Sequence, residues 1–352
     1  MKQFDTILYH LEELKIPISS PLSPEDWKDW YHYILLDPDN NIRILFNISF
    51  SGRPEQGEIT TTFQLTMPSN GSLTKLVNYG FLKVDKWTEK PASRMPLEFK
   101  VPDFLEVSIA KDHFRISVKH QTPKFSFELE GKPEATPLLV PELFPYGSGF
   151  IGWGFIPGVT PNGYVTNENL NLPITSRWFC YHDHNFGRFR WGDKEVGWVW
   201  WVVTMWSETN DIYTFVFHRG NSKDFAKIAK PFLFIYKNNA LKKTFVGRSV
   251  NITFQWTRTP ERIPILPGAL ASVFSHRKVL TPEHIKVHAN DDIHSVEIDM
   301  IIDTKMEIVL PDYEDKQYTF LKELNGKAKA ALTLEGKKNY LKKGMFYAEF
   351  VH

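Results

Sequence analysis

The stretch KFSFELEG, residues 124 to 131, places Phe125, Phe127 and Leu129 at every second position, with polar residues between. That rhythm puts the apolar side chains on one face of an extended chain, so it predicts a half-buried strand rather than a helix. The pattern recurs almost everywhere. YHYILLD, the turn PDNN and IRILFNISF read as a hairpin; EITTTFQLTM, LEVSIA, a tight Lys-Asp turn and HFRISVKH extend the series. WFCYHDHN, EVGWVWWVVTMW and DIYTFVFHRG resume it, and a second series runs from FLFIYK through SVNITFQWT, HIKVHAN and SVEIDMIID to GMFYAEFV. Two successive runs of antiparallel strands in 352 residues predict an all-β protein of two barrel- or sandwich-like domains, because closure removes exposed sheet edges. The expected division is residues 1–218 and 219–352.

Two segments break the rhythm. Ile7, Leu8, Leu11 and Leu14 fall on one side of a short N-terminal helix, which the prolines of IPISSPLSPEDW end. The run PEATPLLVPELFPYGSGFIGWGFIPGVTPNG, rich in Pro and Gly, reads as a long loop packed over a cavity or between domains.

Bulk properties narrow the function classes. A formal net charge of +1 offers no electrostatic reason to expect nucleic acid or an anionic membrane surface as partner. The single cysteine, Cys180, excludes an internal disulfide framework and a multi-cysteine zinc site. The N-terminus lacks the basic start and apolar core of a secretory signal, and no apolar run reaches the ~18–20 residues of a membrane-spanning helix. A soluble, cytoplasmic protein is expected, with room for transient membrane contact to collect an apolar substrate. Aromatic residues are the outlier: 27 Phe, 13 Tyr and 11 Trp, the tryptophans crowding between Trp153 and Trp256. A large β core accounts for most of them, and an aromatic-lined ligand cavity for the remainder.

The densest group of titratable side chains lies inside this aromatic region, in RWFCYHDHNFGRFRWGD, residues 177 to 193. On a strand, Phe179, Tyr181, Asp183 and Asn185 share one face, and Trp178, Cys180, His182 and His184 share the other. Four chemistries are open. His182 and His184 could ligate a metal with a third ligand from His32, His113 or His218. Cys180 could act as a nucleophile, although lone buried cysteines are usually inert. Asp183, facing an apolar cavity, could stay protonated and act as an acid, with tryptophan faces stabilising a cation by ~0.5–2 kcal/mol each. Finally, the group could be a self-satisfied buried network that ties strands together. There is no GxSxG elbow, phosphate-binding loop or GxGxxG.

The motif YHDHNFG resembles the Tyr-His-Asp-His-Asn-Trp-Gly signature of the lipocalin-like family that includes carotenoid hydratases (hydroxyneurosporene synthases) and AttH-type proteins, with Phe186 where Trp is usual. GMFYAEFVH resembles that family's closing strand: Tyr347 and Glu349 match, and Ala348 replaces Val. The resemblance implies two lipocalin-like domains with a ligand cavity near their junction and chemistry on large apolar molecules without a metal or other cofactor. Carried over, Asp183 donates the proton and Tyr181 stands beside it. Trp153, Trp178, Asn185, Trp198, Tyr347 and Glu349 are the expected substrate-binding residues, and His182 and His184 support the strand from behind. The expected activity is acid-catalysed cyclisation, hydration or isomerisation of an isoprenoid or polyene in an aromatic cavity between the domains. Related architectures include Diels–Alder pericyclases, and lipocalin-type barrels also carry ligands without catalysis, so a pericyclase and a carrier remain alternatives.

Overall fold

The computed structural model describes residues 26–53, 56–69, 72–87, 97–110, 112–121, 124–140, 144–312 and 317–351. The helix expected over the first fifteen residues lies outside them. Strands dominate the rest, as the alternation requires. The first sheet begins with β1 (Trp27–Asp37), β2 (Ile42–Arg53), β3 (Gln56–Ser69), β4 (Ser72–Trp87), β5 (Leu97–Val101), β6 (Leu105–Ile109) and β7 (Phe114–Gln121). It continues with β8 (Lys124–Pro133), β9 (Leu138–Leu139), β10 (Phe144–Tyr146), β11 (Gly149–Asn167), β12 (Leu170–Ile174) and β13 (Phe179–Arg188). Its order is β4-β3-β2-β1-β13-β11-β8-β7-β6-β5, so β13 is inserted between β1 and β11.

The second sheet holds β14 (Gly197–Trp206), β15 (Ile212–Asn221), β16 (Phe232–Lys237), β17 (Ala240–Val246) and β18 (Val250–Trp256). After the short β19 (Ile265–Leu266) come β20 (Pro282–Asn290), β21 (Ser295–Asp312), β22 (Gln317–Leu334) and β23 (Lys337–Val351). The order is β17-β16-β15-β14-β23-β22-β21-β20-β18, with the chain's last strand beside β14. One helical turn, α1 (Gly268–Ala271), precedes β20.

Internal contacts divide the chain into two units. The first comprises residues 1–37, 44–62 and 83–189; the second comprises 38–43, 63–82 and 190–352. This differs from a cut after His218, because β14 and β15 pair with β23 and β16 and so belong with the second unit. In the second unit Val199, Trp201, Val203 and Met205 of β14 enter a core with Phe215, Phe217, Leu324 and Phe346. Trp201 stacks on Phe217 with ring centroids 4.9 Å apart. The alternate residues Trp198, Trp200, Val202 and Thr204 are buried too. A strand covered on both faces reads as an unbroken apolar run, which is why GWVWWVVTMW hardly alternates.

The glycine-rich half of the Pro- and Gly-rich segment is strand rather than loop. Residues 149–167 form β11, which pairs with β8, β9, β10, β12 and β13. Its register with β13 shifts between Ile156 and Val159, and Pro157 falls in that shift, where a missing ladder donor costs least. Glycine has a packing role here: a Cβ at Gly152 would lie 2.3 Å from the Phe186 ring. Gly187, the last residue of the motif, meets the same constraint from β11, since a Cβ there would sit 2.4 Å from the Phe150 carbonyl oxygen.

Candidate active site

β13 carries FCYHDHNFGR and is buried along both faces. Pairing places His32 of β1 and Phe155 of β11 directly opposite Asp183, and Trp30 and Trp153 opposite Asn185. Residues opposite one another in an antiparallel ladder share a face, so Asp183 looks onto His32, Phe155, Tyr181 and Trp153. Its side chain is 2% exposed. The Asn185 amide donates to Oδ1 at 2.8 Å, the Tyr181 hydroxyl donates to Oδ2 at 3.0 Å, and the Trp153 indole N–H reaches Oδ2 at 3.4 Å. Trp153 stacks on Phe155, and Phe155 in turn on Tyr181, with centroids 4.8 and 5.9 Å apart. Burial pulls His32 down to about 3, so its imidazole is neutral and brings no positive charge to this face.

Behind β13 the two histidines interleave with tyrosines of β1. His184 stacks on Tyr31 at 4.3 Å and His182 on Tyr33 at 4.5 Å. His184 Nε2 is 2.5 Å from Asp29 Oδ1, and His182 Nδ1 is 3.2 Å from the His32 carbonyl oxygen. Burial, followed by the neighbouring His184, pulls His182 down to about 3. Among the described residues no three His, Cys, Asp or Glu side chains converge in a way that would hold a metal ion. His113 sits at an exposed turn against Asp112, and His218 belongs to the second unit. Cys180 is fully buried, and burial pushes its thiol far above the ordinary range, which makes it a packing residue rather than a nucleophile.

The expected site residues fall into two groups. Asp183, Tyr181, Asn185 and Trp153 meet in the first unit, with His182 and His184 on the reverse of their strand. Trp178 is buried in the turn before β13, its backbone N–H donating to the Thr175 carbonyl at 3.0 Å. Trp198, Tyr347 and Glu349 belong to the second unit. The Trp198 indole donates to Glu349 Oε2 at 3.0 Å, and the Tyr347 hydroxyl donates to Gln64 Oε1. An open concavity of about 530 Å³ on the second unit is lined by Lys286, Glu297, Asp299 and Lys329 and by none of these residues. His32 and Phe155 were not legible as partners of Asp183, because only the β1–β13–β11 pairing places them there.

The architecture has solved counterparts. Kievitone hydratase from Nectria haematococca aligns with a TM-score of 0.58 at 11% identity, over 96% of this chain and 95% of that one. CghA, solved with Sch210972, aligns with a TM-score of 0.63 at 9% identity, over 96% and 92% of the two chains. The fold is lipocalin-like. A Nitrosomonas europaea protein provisionally called AttH shares it, with a TM-score of 0.57 at 12% identity over 96% of this chain and 98% of that one. Comparison with protein-family models and with curated proteins gives no match. At such identities the lipocalin-like likeness speaks for the fold. Among the described residues no helix is long and apolar enough to cross a membrane, which says nothing about a β-barrel.

Proposed function

We propose that the chain is a cofactor-free enzyme that performs proton chemistry on an apolar isoprenoid or polyene, with Asp183 as the acid and Tyr181 as its immediate partner. The observation carrying this reading is a carboxyl group 2% exposed among Trp153, Phe155, Tyr181 and neutral His32. In such surroundings the uncharged acid is favoured by desolvation, and the aromatic faces suit a developing carbocation. The proton is proposed to sit on Oδ2, the oxygen that faces the Tyr181 hydroxyl, because the Asn185 amide at Oδ1 and the Trp153 indole can only donate. A hydroxyl can accept as well as donate, so Tyr181 can take the Oδ2 proton and pass its own onward. Trp153 and Trp178 are proposed to contact the substrate. Kievitone hydratase, a hydratase on the same fold, supports this class of chemistry.

A second reading draws on the same geometry. The Asn185 and Trp153 N–H groups can only donate, and donors aimed at a carboxyl group favour its anion. A carboxylate held in that state would orient a substrate without surrendering a proton, as a pericyclase would need. Turnover of isoprenoid and polyene substrates in deuterium oxide separates the two. Deuterium on carbon in the product, lost with Asp183→Asn, supports the acid; unlabelled product formed at an unchanged rate by Asp183→Asn overturns it.

A further inference from the structure

The last strand brings a second carboxyl group into view. Glu349 of β23 lies directly opposite Glu323 of β22, and both side chains are buried, at 8% and 2% exposure. The two carboxyls hydrogen-bond to each other, which requires a proton between them, since two carboxylates offer no donor. Trp198 holds the Glu349 side of the pair. Tyr347 shares this face, diagonal to Glu323, and its hydroxyl fixes the Gln64 carbonyl oxygen. Two polar atoms in the cluster are unmatched among the described residues: Glu323 Oε2 accepts no hydrogen bond, and Gln64 Nε2 donates none. Gln64 is 1% exposed. An acceptor and a donor left open in one buried cluster are each costly, and a single hydroxyl group, which both donates and accepts, satisfies the pair.

The remaining charged and titratable groups of this face do not supply that match. Arg43 of β2 turns its two terminal nitrogens to Asp303 of β21 at 2.8 Å, to Asn41 at 2.9 Å and to Asn325 at 3.3 Å. Its Nε, a donor only, has no hydrogen-bond partner among the described residues and cannot serve as the acceptor that the Gln64 amide needs. His218 of β15 is neutral, burial pulling it to about 4. Burial pushes Glu349 up to about 7, and burial, followed by the neighbouring Glu349, raises Glu323 well above the ordinary glutamate range.

We infer that Glu323, Glu349, Gln64 and Tyr347 form a binding site for the hydroxyl group of a largely apolar alcohol. The hydroxyl donates to Glu323 Oε2 and accepts from Gln64 Nε2, while the shared proton keeps the pair at one negative charge. The site lies wholly within the second unit and rests on the reading above only in taking the ligand as apolar. Glu323 and Gln64 stand in no motif: ladder pairing sets Glu323 opposite Glu349, and a side-chain hydrogen bond brings Gln64 to Tyr347.

The probes are geranylgeraniol and its methyl ether, which keeps the oxygen and loses the donor. Binding is read by tryptophan fluorescence, and the carboxyl proton by infrared spectroscopy of the intact protein. The alcohol is expected to bind at least about tenfold more tightly than the ether. Gln64→Met should remove most of that preference, whereas Asp183→Asn should keep it. The wild-type infrared spectrum at pH 6 should show the carbonyl stretch of a protonated carboxylic acid that Glu323→Gln removes and the alcohol shifts. Equal affinity for alcohol and ether overturns the proposal, as does a wild-type spectrum that the alcohol leaves unmoved. A preference lost with Asp183→Asn and kept with Gln64→Met would assign alcohol recognition to the first unit and also overturn it, while leaving the Asp183 reading intact.

Discussion

The Tyr181 hydroxyl meets Asp183 Oδ2 at 3.0 Å, although the two residues belong to one strand and are only two positions apart. Neighbours at i and i+2 share a face, so this contact is built into the primary structure, and Asn185 extends it by another step. What the ladder adds is enclosure by Phe155 and Trp153 from one side and by His32 from the other.

Asp183→Asn is expected to lower turnover roughly 10²–10⁴-fold, the usual cost of losing a positioned general acid. Tyr181→Phe keeps the ring stacked near Phe155 and removes only the hydroxyl, so its loss should be smaller. Rates with each variant, alongside thermal melting to confirm the fold, check the order.

Acid lability should track the buried histidines. His32 and His182 are held at about 3 against about 6.5 in an unfolded chain. Their neutral forms stabilise the fold fully above about pH 6.5, and the benefit is lost as pH falls, because the unfolded state takes up protons first. The carboxyl pair slopes the other way. With Glu349 raised to about 7, its contribution is complete below the ordinary glutamate range and fades as pH rises through 7. Urea denaturation at pH 8, 6 and 4 should show stability falling by the order of a few kcal/mol from pH 6 to 4. Glu349→Gln should flatten the fall from pH 6 to 8 and deepen the fall from pH 6 to 4, since the raised carboxyl loses its contribution between its unfolded and folded values.

Arg43 is fully buried and paired with Asp303, whose side chain is 22% exposed. Removing Asp303 alone strands the guanidinium, and Asp303→Ala should destabilise by about 3–5 kcal/mol. Arg43→Met combined with Asp303→Leu should recover most of that loss, because an apolar pair needs no desolvation of charge. Guanidinium chloride midpoints at constant slope measure both.

Gly187→Ala places a methyl group against the Phe150 carbonyl oxygen, a backbone atom that cannot swing aside. The strands must separate locally, with a cost of about 1–3 kcal/mol. A change in the amide exchange of β11 and β13, with other strands unaffected, would locate the damage; unaltered exchange would show that the contact is slack.

How much could be read in advance differs from residue to residue. Period-two alternation is a property of neighbouring side chains, so Phe125, Phe127 and Leu129 announced a strand, and the Tyr181-Asp183-Asn185 face followed from spacing alone. Residues 149–167 were misread because Pro and Gly ordinarily signal turns. Here glycine is needed for close packing, and Pro157 is accommodated by a shift in register.

By itself the amino-acid order determined the all-β class, the strand rhythm and the local grouping of Tyr181, Asp183 and Asn185. Only the tertiary structure decided that β13 lies between β1 and β11, that Trp153 reaches Asp183, and that Glu323 stands opposite Glu349. The physical reason is range: alternation acts between residues two apart, whereas ladder pairing joins strands far apart in the chain through the register of the whole sheet.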